Sequence, residues 1–379
     1  MEGFVIALFV CLTLALITKY LRVPPIPFYI IAGVLLGKSG FGIVHSDLVS
    51  DFFSKMGLIF LLFFMGLGLK LERIASNRSA VLTSGFIDLN VNMLIGFTAA
   101  YLFGFNLTES LIIASAFYIS STAMAITSLI ENRKLMMREA ETIIWLMMFE
   151  DLVLILFLAV ISSGDQNLFF LFAKIAGVLL VLYALAHWGK EFLVSILDRD
   201  DELPILFTFA AVLTTASFSI VLEVPETMMV IALGAAFATT DPDAFEQHAR
   251  PFKDVFLVLF FVFFGVTIDM SGGADLFMIT VICLLAIVSK LISGIITGII
   301  IHESALAGIE IWGNTISRGE FSIALAALYG GGLVATTIAA MVIVTSIVGS
   351  FTAKYCSHLR RGIVHFGRRA PSHRPHTSR

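Results

Sequence analysis

The stretch "WLMMFEDLVLILFLAV", Trp145 to Val160, sets two adjacent carboxylates, Glu150 and Asp151, inside an apolar run. About 20 apolar residues in a helix span the roughly 30 Å hydrocarbon core of a bilayer, and this run with its flanks is that long. A charge at the bilayer centre costs roughly 2.5 to 3.5 kcal/mol on insertion scales, so a chain that places two there has a use for them. Consecutive helical residues point about 100° apart, so one carboxylate can face a cavity while the other faces a neighbouring helix.

The rest of the chain has the same character. Of its 379 residues 58% are hydrophobic and 14% charged, with a mean hydropathy of +0.97, against about 25% charged in an ordinary soluble domain. The apolar segments are helix-length and lack the alternation of a barrel strand, which predicts an all-α polytopic membrane protein. Cys11, Cys283 and Cys356 are far apart, so no disulfide framework, metal cluster or cofactor is expected. The first twenty residues open on an acid and lack an A-x-A site, and read as a first span rather than a signal peptide.

Hydropathy predicts about thirteen spans, at 3–19, 26–43, 52–69, 80–104, 110–130, 140–162, 167–188, 203–222, 226–240, 252–268, 276–300, 305–328 and 333–354. Loops after odd-numbered spans hold Lys19, Arg22, Lys70, Arg73, Arg78, Arg133, Lys134, Arg138, Lys190, Arg199, Arg250 and Lys253; the others hold chiefly acids. By the positive-inside rule this puts the N-terminus outside the cell membrane and the C-terminus in the cytoplasm. An odd count also permits spans 1–6 to recur upside down as spans 8–13. Inverted repeats of this kind bind their cargo near the midplane, where interrupted helices meet.

Four further features break the apolar pattern. Lys290, mid-way along "LLAIVSKLISGIITGII", needs a carboxylate partner if it is to stay charged at that depth, and Glu150 is the expected one. Ser120, Ser121 and Thr122 are consecutive hydroxyls that compete with the helical ladder, and broken backbone at membrane depth must line a cavity or be buried in protein. In "WGNTISRGEFSIALAALYGGG", Gly319 lies between Arg318 and Glu320, marking either a second break, whose dipole ends these charges compensate, or a loop that shortens the span. Asp88, Asn90 and Asn92 in the fourth span are read as one polar stripe serving the break, an ion path or helix contact.

Several stretches together resemble the monovalent cation:proton antiporter-2 family, which includes KefC-type potassium efflux proteins and NapA-type sodium/proton antiporters. They are "PPIPFYIIAGVLLGKSGFGI", "MGLIFLLFFMGLGLKLERI", "SSTAMAITSLIENRKL" with "FEDLVLILFLAV", "LVLFFVFFGVTID", and "SKLISGIITGII" with "ISRGEFSIALAAL", in order over about residues 10–350. The resemblance implies an NhaA/NapA-like antiporter fold of thirteen spans with crossed broken helices, in a homodimer. Residues 1–355 would be the transmembrane antiporter: 1–79 and 203–268 its dimer part, 80–162 and 276–354 its ion-transporting core, 167–188 the linking helix. Residues 356–379 would be a basic, disordered cytoplasmic tail.

By the same resemblance Asp151 matches the family's ion-carrying aspartate and would hold the monovalent metal cation. Lys290 matches its core lysine, which pairs with the acid before that aspartate, here Glu150. The Glu-Asp pair departs from the commoner pairs, which leaves ion preference and stoichiometry open. No regulatory domain of KefC size follows residue 355, so a separate cytoplasmic regulatory subunit is expected and potassium is favoured over sodium.

The expected activity is secondary exchange of K+ or Na+ for H+ by alternating access. Asp151 holds either a proton or the cation, Ser120, Ser121, Thr122 and backbone carbonyls complete the shell, and bare carboxylate is too costly to cross. A sodium exchanger of the same family and a cation channel with the same cavity are the alternatives. An organic-anion carrier would need cations beyond Lys290 and Arg318, and no nucleophile–base set or phosphate loop supports an enzyme or a nucleic-acid partner.

Overall fold

The computed structural model describes residues 2–21, 23–69, 78–163, 167–269 and 275–369, with side chains placed from Gly3 to Ser357 within those stretches. Arg22, Lys70, Arg73 and residues 370–379 of the expected tail lie outside the described residues. The described elements are all helices: α1 (Glu2–Leu21), α2 (Ile26–Leu36), α3 (Leu48–Leu67), α4 (Arg78–Leu102), α5 (Leu107–Tyr118), α6 (Thr122–Glu131), α7 (Arg138–Ser162) and α8 (Leu168–Trp188), then α9 (Lys190–Leu197), α10 (Leu203–Leu222), α11 (Glu226–Phe237), α12 (Pro242–Thr267), α13 (Leu276–His302), α14 (Ala305–Thr315), α15 (Glu320–Tyr329) and α16 (Leu333–Arg369). Among the described residues nine segments are long and apolar enough to cross a membrane, α5 with α6 counting as one.

Local chemistry sets the helix starts. Asp47 and Ser50 form a reciprocal capping box at α3, as Asn106 and Glu109 do at α5. Asp241 accepts from the Ala244 amide ahead of Pro242, which suits the first helical position because it has no N–H to leave unbonded.

Several boundaries differ from the hydropathy reading. The second span, expected to reach 43, stops at Leu36, where residues 37–41 form turns and Gly42 adopts φ +63°. The tenth starts ten residues early, because its charged first half, Asp243 to Asp254, is helical and spaces Arg250 four residues from both Glu246 and Asp254. The last helix continues past 354 to Arg369, so residues 356–369 of the expected disordered tail are helical. A short helix, α9, occupies an expected loop and buries Leu193, Ile196 and Leu197.

Packing sorts the helices into two groups. In one, α3 packs on α11 and α12, and α2 packs on α12; in the other, α4 packs on α5, α7 and α13 while α13 packs on α14 and α16. The contacts are reciprocal under exchange of α2–α7 for α11–α16: α2 on α12 mirrors α11 on α3, and α4 on α5 mirrors α13 on α14. α8 packs on α11, in the first group.

Two glycine pairs repeat under the same exchange. A Cβ on Gly33 of α2 would lie 2.8 Å from the Gly265 Cα of α12, and a Cβ on Gly234 of α11 would lie 3.0 Å from the Gly66 carbonyl carbon of α3. Only hydrogen lets these backbones approach so closely, as small residues do at membrane helix interfaces.

Candidate functional site

The two predicted breaks are present and meet. Between α5 and α6 residues 119–121 are extended, and between α14 and α15 residues 316–319 leave the helix. The Ser121 amide donates to the Ser317 carbonyl at 2.7 Å, and the Ser120 hydroxyl donates to the Thr315 carbonyl at 2.9 Å. Gly319 lies against Ser121, where a Cβ would collide with the serine side chain. The Arg318–Glu320 stretch is therefore a break at the crossing, and Glu320 opens α15.

Four open chain ends converge there, and several of their orphan groups find partners across the crossing. Arg318, fully buried, reaches across to the end of α5, its Nε and Nη2 donating to the Phe117 carbonyl at 2.9 and 2.6 Å and its Nη2 also to Ala286 at 3.2 Å. A guanidinium at a helix C-terminus offsets the negative pole of the dipole. Ser322 donates to the Ala116 carbonyl at 2.9 Å, and α16 holds the second break through Ser346, which donates to the Arg318 carbonyl at 2.6 Å. Glu320 stands in the first turn of α15, where the dipole favours an acid, and accepts from the Ser121 hydroxyl at 3.3 Å.

Glu150 and Asp151, on α7, face different surroundings. Glu150 is buried and engaged: it accepts from the Ser120 amide and from Lys290 Nζ at 2.8 Å, and the Ser120 hydroxyl, 3.1 Å away, shares its one proton between Glu150 and the Thr315 carbonyl. Asp151 is half-buried, and its Oδ1 is sealed from solvent with no hydrogen-bond partner among the described residues. Thr122 is half-buried at the first position of α6.

Lys290 has a second carboxylate that the sequence reading did not assign. Its ammonium lies 2.6 Å from Asp88 Oδ2, and all three side chains are buried. Asp88 Oδ1 accepts from Ser293 at 2.7 Å and from Asn92 at 2.9 Å. Asn90, expected on the same stripe, is exposed and donates to the Phe86 carbonyl, since two residues on a helix is a turn of about 200°. Tyr118, at the end of α5, presents its ring to Lys290, 5.4 Å from Nζ, and its buried hydroxyl has no partner among the described residues. Four carboxyl groups, those of Asp88, Glu150, Asp151 and Glu320, thus stand with two cationic side chains, Lys290 and Arg318, an arrangement suited to a cation or protons.

A second buried ion pair joins the α6–α7 loop to α14. Lys134 Nζ lies 2.9 Å from Glu310 Oε2 and donates to the Ala353 carbonyl at 2.7 Å, with the Cys356 sulfur at 3.0 Å. In the sequence Lys134 reads only as a loop charge. Between the two helix groups lies a cavity of about 500 Å³, walled by Leu58, Leu62, Val230 and Phe260 and bordered by the Lys55–Glu226 pair, Ser162 and Tyr329.

Comparison with known proteins agrees with this architecture. The chain is 31% identical over 370 residues to the K(+)/H(+) antiporter subunit KhtU of Bacillus subtilis (strain 168), covering 92% of this chain and 91% of the relative. It is 24% identical over 326 residues to the ammonium/H(+) antiporter subunit AmhT of Alkalihalophilus pseudofirmus, covering 83% and 82%. The solved structure of the sodium proton antiporter MjNhaP1 from Methanocaldococcus jannaschii superposes with a TM-score of 0.70 at 17% identity, covering 95% of this chain and 98% of that one, so the fold is shared. The family model described as sodium/hydrogen exchanger, transmembrane, matches residues 5–356, and the chain belongs to that family.

Proposed function

We propose that the chain is a secondary active antiporter that exchanges a monovalent cation, potassium in preference to sodium, for protons across the cell membrane by alternating access. Asp151 is the shared site for cation and proton. The observation that carries this reading is the contrast on α7: Glu150 is bonded by Ser120 and Lys290, whereas the buried Oδ1 of Asp151 has no hydrogen-bond partner among the described residues. A buried carboxylate oxygen without a donor is costly, and binding a proton or a cation relieves that cost. Ser120, Ser121, Thr122 and the carbonyls at the crossing are the further oxygens within the site.

Thirteen crossings, with the N-terminus outside and the C-terminus in the cytoplasm, account for the helix order and the loop charges. The group containing α2, α3, α11 and α12 serves as the dimer scaffold, the group of α4–α7 and α13–α16 as the moving core, and α8 as the link. The cavity between the groups supports motion along that seam. Potassium is favoured because the Bacillus relative, matched over nearly its whole length, is named for it. That relative's name, a subunit, also favours a separate regulatory partner.

The test is dye-monitored proton movement in liposomes holding the purified protein. Potassium added to acid-loaded vesicles should collapse the pH gradient, with sodium less effective, and Asp151→Asn should abolish the response. Equal or greater response to sodium identifies the sodium exchanger, and cation flux that a pH gradient fails to drive identifies a channel. Full exchange by Asp151→Asn removes the site assignment.

A further inference from the structure

We propose that Asp88 is a positioning residue of the exchange site, a fixed counter-charge that keeps Lys290 neutralised so that Glu150 is free to turn toward the ion at Asp151. The proposal rests on the antiport reading only in taking Asp151 as the carrier.

Lys290 Nζ is shared between two carboxylates, at 2.6 Å from Asp88 and 2.8 Å from Glu150. The two are held very differently. Asp88 sits on the continuous helix α4 against the continuous helix α13, and its other oxygen is fixed by Ser293 and Asn92. Asn92 is held in turn by Ser289, which donates to its Oδ1 at 2.7 Å. Asp88 therefore has no slack. Glu150 has one more rotatable bond, and apart from the ammonium its partners all belong to Ser120, in the interrupted backbone where the helices cross. It is also the immediate neighbour of Asp151.

This inequality decides which carboxylate can leave. A buried ammonium stripped of its only counter-ion is strongly destabilised, whereas one that keeps a charged, hydrogen-bonded partner loses a single interaction. With Asp88 in place, Glu150 can depart at the cost of one charge-assisted hydrogen bond. Without Asp88, Glu150 becomes the sole counter-ion of Lys290 and is trapped on it.

The experiment compares wild type, Asp88→Asn and Asp88→Glu in liposomes, titrating potassium chloride and then sodium chloride. Asp88→Asn, nearly isosteric, should raise the half-saturating cation concentration about tenfold or more, the scale of one charged hydrogen bond, while changing the maximal rate less. Asp88→Glu should recover much of that shift. An unchanged half-saturation, or a loss of maximal rate that Asp88→Glu does not rescue, overturns the proposal.

Melting of the detergent-purified protein provides a second arm that needs no transport. Glu150→Gln, which leaves Lys290 with Asp88, should melt close to wild type, and Glu150→Gln combined with Asp88→Asn should melt far lower or fail to fold. A single Glu150→Gln variant as unstable as the double shows that Asp88 is not a sufficient counter-ion and overturns the proposal even where Asp88→Asn cannot be purified. Should wild type itself exchange no ions, the antiport reading fails while the melting arm still judges Asp88.

Discussion

The guanidinium of Arg318 donates twice to the carbonyl of Phe117, so the terminus of one interrupted helix is closed by a side chain from the gap in the other. Neither gap is complete alone. Arg318→Lys keeps the charge but cannot reproduce the fork of donors, and Arg318→Ala leaves buried carbonyls of Phe117, Ala286 and Ile316 without this donor. Unmet buried acceptors cost about 1 to 3 kcal/mol each, so Arg318→Ala should lose about 3 kcal/mol or more and Arg318→Lys somewhat less. Thermal melting of purified variants checks this, and an Arg318→Ala protein as stable as wild type contradicts the closure.

On the proposed reading Asp151→Asn should remove activity through chemistry rather than folding. The buried Oδ1 makes no hydrogen bond among the described residues, so a neutral amide there should melt at or above the wild-type temperature. A large drop in melting temperature would instead give Asp151 a structural role.

Tyr118→Phe deletes a buried hydroxyl without a partner among the described residues. Its ring contacts, the edge-on packing against Phe157 and the face toward Lys290, survive the change. Stability should be unchanged or slightly raised, by up to about 1 kcal/mol. A marked loss of stability would reveal an interaction of that oxygen that helps hold the fold.

Lys134 and Glu310 form a buried ion pair away from the crossing. Removing either alone should cost about 3 to 5 kcal/mol, because the survivor stays buried and charged, while Lys134→Met with Glu310→Leu should recover most of that loss. A double-mutant cycle on melting free energies reads the coupling; additive losses rule it out.

Asp47 provides a pH-dependent contribution outside the spans. The Ser50 amide it caps holds its carboxyl below the ordinary carboxylate range. A depressed acid stabilises the fold above its unfolded pKa, near 3.9, and loses that contribution as pH falls through its lowered value. Wild type should therefore melt slightly above Asp47→Ala at neutral pH, and the difference should close on acidification below that range. A gap that widens in acid reverses the sign and refutes the assignment.

Much of the architecture is legible because lipid imposes it: each crossing needs a long apolar run, and Glu150, Asp151, Lys290 and Arg318 stand out as exceptions to that demand. Ser120 and Gly319 mark the interruptions for the same reason. The partnership of Asp88 with Lys290 is invisible in either segment, since it depends on how α4 and α13 are rotated against each other; the only local hint is Asn92, one turn on. Lys134 hid beside Arg133 and Arg138, where a basic loop residue needs no explanation. The early end of α2 escaped notice because hydropathy averages over Gly37, Gly40 and Gly42, whose effect is on backbone shape.

The two glycine pairs, Gly33 with Gly265 and Gly66 with Gly234, bring main chain onto main chain. A contact between side chains can creep by exchanging rotamers, but at these glycine pairs there is none to exchange. Advancing α2 by one residue along its helical screw would bring Ala32 or Val34 to the place of Gly33, against the backbone opposite, and the same holds for α3 at Gly66. The pair of seams acts as a double bolt, related by the same inversion as the helices, that holds α2 to α12 and α3 to α11 in one register.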